Sequence, residues 1–164
     1  ECFKSQSNEI VERVMNLQHE AKSLSKLLAK AQEEVASLKA FSLRSKVVSQ
    51  GDSQFIVERL DNMTGEALQS AAKRLVDELG VNSAVVFAGI PDSKDKQRVI
   101  LVAAFGSKIV SQGLHAGKFL APIAKHCGGG GGGRPNLAQA GGRDSKKLDD
   151  ALLLAQNHLI QELN

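Results

Sequence analysis

Apolar residues in the first part of the chain recur at spacings that alternate between four and three: Ile10, Val14, Leu17, Ala21, Leu24, Leu28, Ala31, Val35 and Leu38. That is the seam of a heptad repeat, and no Gly or Pro interrupts it between residues 4 and 50. The spacing predicts one long, coiled-coil-like helix over residues 1–42. The flanking positions are mostly Lys, Glu, Gln, Asn and Ser, so the apolar stripe is narrow, and a helix of this kind needs a partner. Two arrangements meet that need. The first, and the favoured one, is a spacer or dimerisation arm, paired through residues 10–38 with a second copy or with another helix of the same protein. The second is a core helix packed on its own domain.

From residue 43 to residue 164 the pattern becomes that of an α+β globular domain. Lys46-Val47-Val48 and Phe55-Ile56-Val57 predict short strands around a turn at Gly51-Asp52. Thr64 is placed to cap a helix whose apolar face is Leu68, Ala71, Ala72, Leu75, Val76 and Leu79, with Gly80 as its stop. Residues 83–90 and 99–105 are near-continuous apolar runs, which predicts strands covered on both faces. Pro91-Asp92-Ser93-Lys94-Asp95-Lys96 between them predicts an exposed turn. A helical stretch from Leu114 to His126 follows, weakened or bent at Pro122. A short strand near Leu137–Ala140 comes next. The last helix starts near Asp144 or Ser145 and buries Leu148, Leu152, Ala155, Leu159 and Leu163. Together these elements predict a mixed sheet flanked by helices.

At 164 residues and 42% hydrophobic content, the chain can support one domain of ordinary size plus an extension. The opening residues Glu1-Cys2-Phe3-Lys4 lack an initiator methionine, which points to a piece of a larger protein. No segment has the pattern of a signal peptide, and no apolar run approaches the ~18 residues of a membrane span. The two cysteines, Cys2 and Cys127, form neither a CxxC pair nor a disulfide framework. That usage fits a reducing compartment.

The net charge of +3 conceals an asymmetry. Residues 96–147 carry nine basic side chains (Lys96, Arg98, Lys108, Lys118, Lys125, Arg134, Arg143, Lys146 and Lys147) and a single acid, Asp144, a net of +8. The other 112 residues carry twelve basic and seventeen acidic groups, a net of −5. So local an excess is the footprint expected of a site for a polyanion.

At the centre of the basic segment six consecutive glycines, Gly128 to Gly133, run into Arg134-Pro135. Backbone N–H groups without side chains around them admit close approach of an anionic group, and an arginine beside them can fork a phosphate. The alternative is a tight structural turn. The run is not a nucleotide-hydrolysing loop, because Arg134-Pro135 stands where that motif needs lysine followed by a hydroxyl. The four histidines, His19, His115, His126 and His158, have no metal-ligand spacing. Cys127 reads as structural, and His115 as a helix cap or a phosphate contact. There are six Phe and no Tyr or Trp, so few side chains can stack on unpaired bases. Shape and backbone recognition of a folded RNA fits better.

The segment CGGGGGGRPNLAQAGG, Cys127 to Gly142, resembles the glycine-rich signature near the end of alanyl-tRNA synthetases. Gly113-Leu114-His115-Ala116-Gly117-Lys118 with the helix after it is similar to the DHHA1-type domain at the C-terminus of that family, and the resemblance covers residues 45–163. One departure is the absence of the lysine that many members carry within the glycines. The resemblance implies a C-terminal domain that binds alanine-specific tRNA at its outer corner and links the aminoacylation and editing centres of the parent enzyme. The bare glycines and the basic segment around them make Gly130, Gly131, Gly132, Gly133, Arg134, Lys118, Lys125, His115 and Arg143 the candidate nucleic-acid contacts. The parent family uses ATP, magnesium and zinc; none of these is expected in this chain, which shows no acid–base pair or nucleophile of its own and is expected to be non-catalytic. The location implied is cytoplasm, or an organellar matrix or stroma. A reading from another class is a coiled-coil oligomerisation module with a purely structural glycine loop.

Overall fold

The heptad stripe folds as a single helix, α1 (Cys2–Ser42), that leads into a 3-10 turn over Leu43–Lys46. The structure, a computed structural model, describes residues 2–91, 95 and 97–163, and the backbone alone for residues 2–8, 36–37 and 40–41. Asp92, Ser93, Lys94 and Lys96 of the expected turn lie outside the described residues. The seam of α1 faces outward, with Ile10, Leu24 and Leu28 exposed by 62%, 59% and 61%. The helix meets the domain through its opposite side. Lys26, Ala29, Lys30 and Glu33 line a groove against Thr64, Glu66, Ala67 and Ser70 of the next helix. Leu43, just past α1, is buried in the domain core. Ion pairs Arg44–Glu78 (3.1 Å) and Lys46–Glu58 (2.8 Å) flank that anchor. Both pairs are largely solvated and add little stability.

The domain is built on a six-stranded mixed sheet. Its strands are β1 (Val48–Gln50), β2 (Ser53–Arg59), β3 (Ser83–Gly89), β4 (Val99–Phe105), β5 (Gly130–Gly133) and β6 (Leu137–Gly142). Their spatial order is β1-β2-β3-β4-β6-β5, with β2–β3 parallel and every other pair antiparallel. The parallel pair needs a crossover, and α2 (Gly65–Leu79) supplies it. Thr64 caps α2 by accepting a hydrogen bond from the Ala67 N–H at 3.2 Å, and Gly80 ends it at φ 96°. Every residue of β3 and β4 is buried, as two-sided coverage requires.

One face of the sheet packs Ile56, Val85, Phe87, Ile100 and Val102 on Leu68, Ala71, Ala72 and Leu75 of α2. The other packs Phe55, Val86, Leu101 and Phe105 on two helices. These are α4 (Ala116–His126), through Phe119, Leu120 and Ile123, and α5 (Leu148–Glu162), through Leu148, Ala151, Ala155 and Leu159. α4 is continuous through Pro122, which is exposed, so the carbonyl left unbonded there can be met by water. Two elements are additional to the sequence pattern: the short helix α3 (Ser107–Ser111) and strand β5.

Candidate nucleic-acid interface

The glycine run is a strand at the edge of the sheet rather than a loop. α4 ends as Gly128 N–H donates to the Lys125 carbonyl (3.0 Å) and Gly129 N–H to the Ala124 carbonyl (2.9 Å), with Gly128 at φ 66°. The chain then pairs with β6 in the register Gly130–Gly141, Gly131–Ala140, Gly132–Gln139 and Gly133–Ala138. The Arg134 N–H closes the hairpin onto the Leu137 carbonyl at 2.9 Å, with Pro135 and Asn136 at its tip. The physical reason is the second edge of β6. β4 satisfies one side of it, and the glycines satisfy the other.

The pairing is close. A Cβ at Gly131 or Gly133 would stand 2.3 Å or 2.5 Å from the Cα of Ala140 or Ala138. A Cβ on Gly117 of α4 would come within 3.0 Å of the Gly133 carbonyl oxygen, so the helix sits directly on the strand. Only residues without side chains allow this three-layer contact.

Three grooves meet at the β5–β6 hairpin. On the α4 side, His115, Lys118 and Ala121 face Gly132 and Gly133 across a groove of about 380 Å³. Lys125 follows Lys118 two turns along α4 and is exposed. At the hairpin tip Arg134 lines a second groove of about 450 Å³ together with Lys73 and Asp77 of α2, the exposed Val81 and the buried Phe105. On the opposite face Arg98 and Arg143 border a third, of about 740 Å³, floored by Gly130, Gln139 and Gly141. The expected residues are therefore gathered around one hairpin but divided among three sides of it. Arg134 is separated from the Lys118 groove by the hairpin itself.

Among the described residues the basic segment is mostly unneutralised. Arg98, Lys118, Lys125, Arg134, Arg143 and Lys146 are exposed and belong to no ion pair, while Lys147 lies 3.8 Å from Asp144. Arg98 and Lys73 are members that sequence reasoning did not single out. Arg98 joins Arg143 only through the β4–β6 register, and Lys73 joins Arg134 only through the packing of α2.

His115 occupies the N-cap position of α4, but its side chain makes no capping bond, and its Nδ1 is buried without a partner. The side-chain cap is thus not made. Cys127 is fully buried. Its carbonyl accepts the N–H groups of Arg143 (2.9 Å) and Asp144 (3.1 Å), and its Sγ lies 3.8 Å from the Lys147 carbonyl. Burial pushes its thiol above the ordinary value of 9.0, with the Asp144 carboxylate adding to the rise. The residue is a packing and anchoring element. Among the described residues no group of three or more His, Cys, Asp or Glu side chains is placed to hold a metal, and no helix is long and apolar enough to cross a membrane.

The profile of the DHHA1 domain matches residues 52–161. The chain is 67% identical over 164 residues to the alanine–tRNA ligase of Prochlorococcus marinus strain SARG. It is 55% identical over 163 residues to that of Synechococcus sp. strain WH7803. In both cases it spans 18% of the relative's length. Among solved structures, the C-Ala domain from Aquifex aeolicus alanyl-tRNA synthetase superposes with a TM-score of 0.59 at 24% identity, covering 71% of this chain and 96% of that one. The DHH domain of a member of the s1p family of ribosomal proteins superposes with a TM-score of 0.54 at 16% identity, covering 80% of this chain and 31% of that one. These likenesses establish the fold.

Proposed function

The chain belongs to the DHHA1 domain family, and from that premise we propose that it is the tRNA-binding C-terminal domain of an alanine–tRNA ligase. The observation that carries this reading is the β5–β6 hairpin, whose bare backbone is ringed on three sides by unpaired cations. Such a surface attracts a phosphate backbone and has no aromatic platform for unpaired bases, so it suits the outside of a folded RNA. Lys118, Lys125, Arg134 and Arg143 hold phosphates, the glycines Gly130–Gly133 permit close approach, and His115 lines the groove beside Lys118. In the longer protein the domain grips the outer corner of the alanine-specific tRNA and brings one substrate to both the aminoacylation and the editing centres. The domain itself is non-catalytic, and ATP, magnesium and zinc act elsewhere in the protein. A free, buried Cys127 is compatible with a cytoplasmic location.

The exposed seam of α1 favours a second, additional role. We infer that residues 10–38 pair with another helix, in a second copy or elsewhere in the same protein, and set the domain's distance from the catalytic parts.

Competition in a gel-shift assay tests the main reading. The purified chain should retard folded tRNA, and a single-stranded RNA of equal length should compete poorly. Equal competition by that RNA, or by heparin at equal charge, contradicts recognition of a folded RNA.

A further inference from the structure

The face of the sheet that carries α2 is only partly covered. α2 packs over β3 and β4 and reaches β6 at Leu137 and at Gln139, which is bonded to Gln69 Nε2. Beyond Gln139 the strands are bare. The groove of about 740 Å³ runs over them, floored by Gly130 and Gly141, with Arg98 and Arg143 beside it and Asp95 as the acid in its lining. Because the register pairs Val99 with Gly142, Arg98 and Arg143 stand at the same end of the β4–β6 ladder.

The glycines of β5 divide by face. A side chain at 131 or 133 would run into Ala140 or Ala138 on the α4 side. At 130 or 132 a Cβ would meet nothing within 4 Å. Glycine in a strand costs conformational entropy, and a β-branched residue would serve the strand better. Packing therefore accounts for glycine at 131 and 133 but not at 130 and 132. Close approach of another molecule's backbone does account for it.

We propose that this uncovered sheet face is where an RNA sugar–phosphate backbone lies, with Arg98 and Arg143 on its phosphates and Gly130 and Gly132 kept bare for its approach. The inference rests on the RNA-binding reading above and adds the face, the approach direction and Arg98. An open sheet edge could also accept a strand from another protein chain, but two exposed arginines against one aspartate favour a polyanion.

Fluorescence-anisotropy titration of tRNA into the whole chain tests it, with two variants. Gly130→Thr with Gly132→Thr should keep or raise the melting temperature and weaken tRNA binding by at least about tenfold. Arg98→Ala with Arg143→Ala should weaken binding and lower the salt slope by about two. Unfolding of the threonine variant overturns the inference, since those positions are sterically free. Affinity within about twofold of wild type in both folded variants overturns it too, while leaving the RNA-binding reading intact if Lys118→Ala with Lys125→Ala still reduces affinity. Loss of self-association in the threonine variant with tRNA affinity unchanged assigns the face to strand pairing and also overturns it. A wild-type chain that fails to bind tRNA at low salt brings down the reading itself.

Discussion

Arg134 stands where the glycine strand ends, and its backbone is fixed on both sides: its own N–H is bonded to the Leu137 carbonyl, and Pro135 restricts the residue after it. Its side chain is exposed and in no ion pair, so removing it costs the fold almost nothing. Arg134→Ala should weaken tRNA binding by about 1–3 kcal/mol while leaving the melting temperature unchanged. Arg134→Lys should recover only part of the loss, because an ammonium cannot fork a phosphate. Unchanged affinity in a folded alanine variant would remove the hairpin tip from the binding surface. Cys127 behaves in the opposite way. It is buried and its thiolate is disfavoured, so a thiol reagent should label it at neutral pH only as fast as the domain opens. Its pKa is raised in the folded state, so the stability it contributes is complete below the ordinary thiol value of 9.0 and is lost as pH rises above it. Denaturation midpoints measured from neutral to alkaline pH should fall in that range, and Cys127→Ala should flatten the fall. In a Cys2→Ser background, labelling of native Cys127 as fast as of free cysteine would contradict the burial.

At the scale of elements, α1 presents two faces with different fates. Its polar back lies on α2, while its apolar seam is exposed. Leu24→Asp with Leu28→Asp should therefore abolish self-association in analytical ultracentrifugation and leave the domain folded, since unpaired charges buried in a helix seam are costly. Unchanged association would exclude the seam as the contact, and unfolding of the whole chain would make α1 part of the core. The heptad seam, the Thr64 cap, the Gly80 stop and the two buried strands were legible because each carries its own local signal. The glycine strand was not. Glycine leaves no side-chain periodicity, and β5 exists because β6, later in the chain, offers an edge to pair with. α3 spans only five residues, too short for a helical period to show. The site cations between residues 96 and 147 were legible from the local charge excess, whereas Lys73, outside it, was not. Their division among three grooves was not, because it depends on which strands are neighbours.

For the molecule as a whole, the basic segment is concentrated around one hairpin at the edge of the sheet, while the acidic excess lies elsewhere in the sequence. That separation makes binding of a polyanion directional rather than diffuse. Counterion release is the most direct measure of it. If the hairpin surface neutralises about four tRNA phosphates, a plot of log K against log salt for the purified chain should be linear with a slope of roughly −3 to −4. A slope near zero, at an affinity that salt does not change, would contradict phosphate binding at the hairpin.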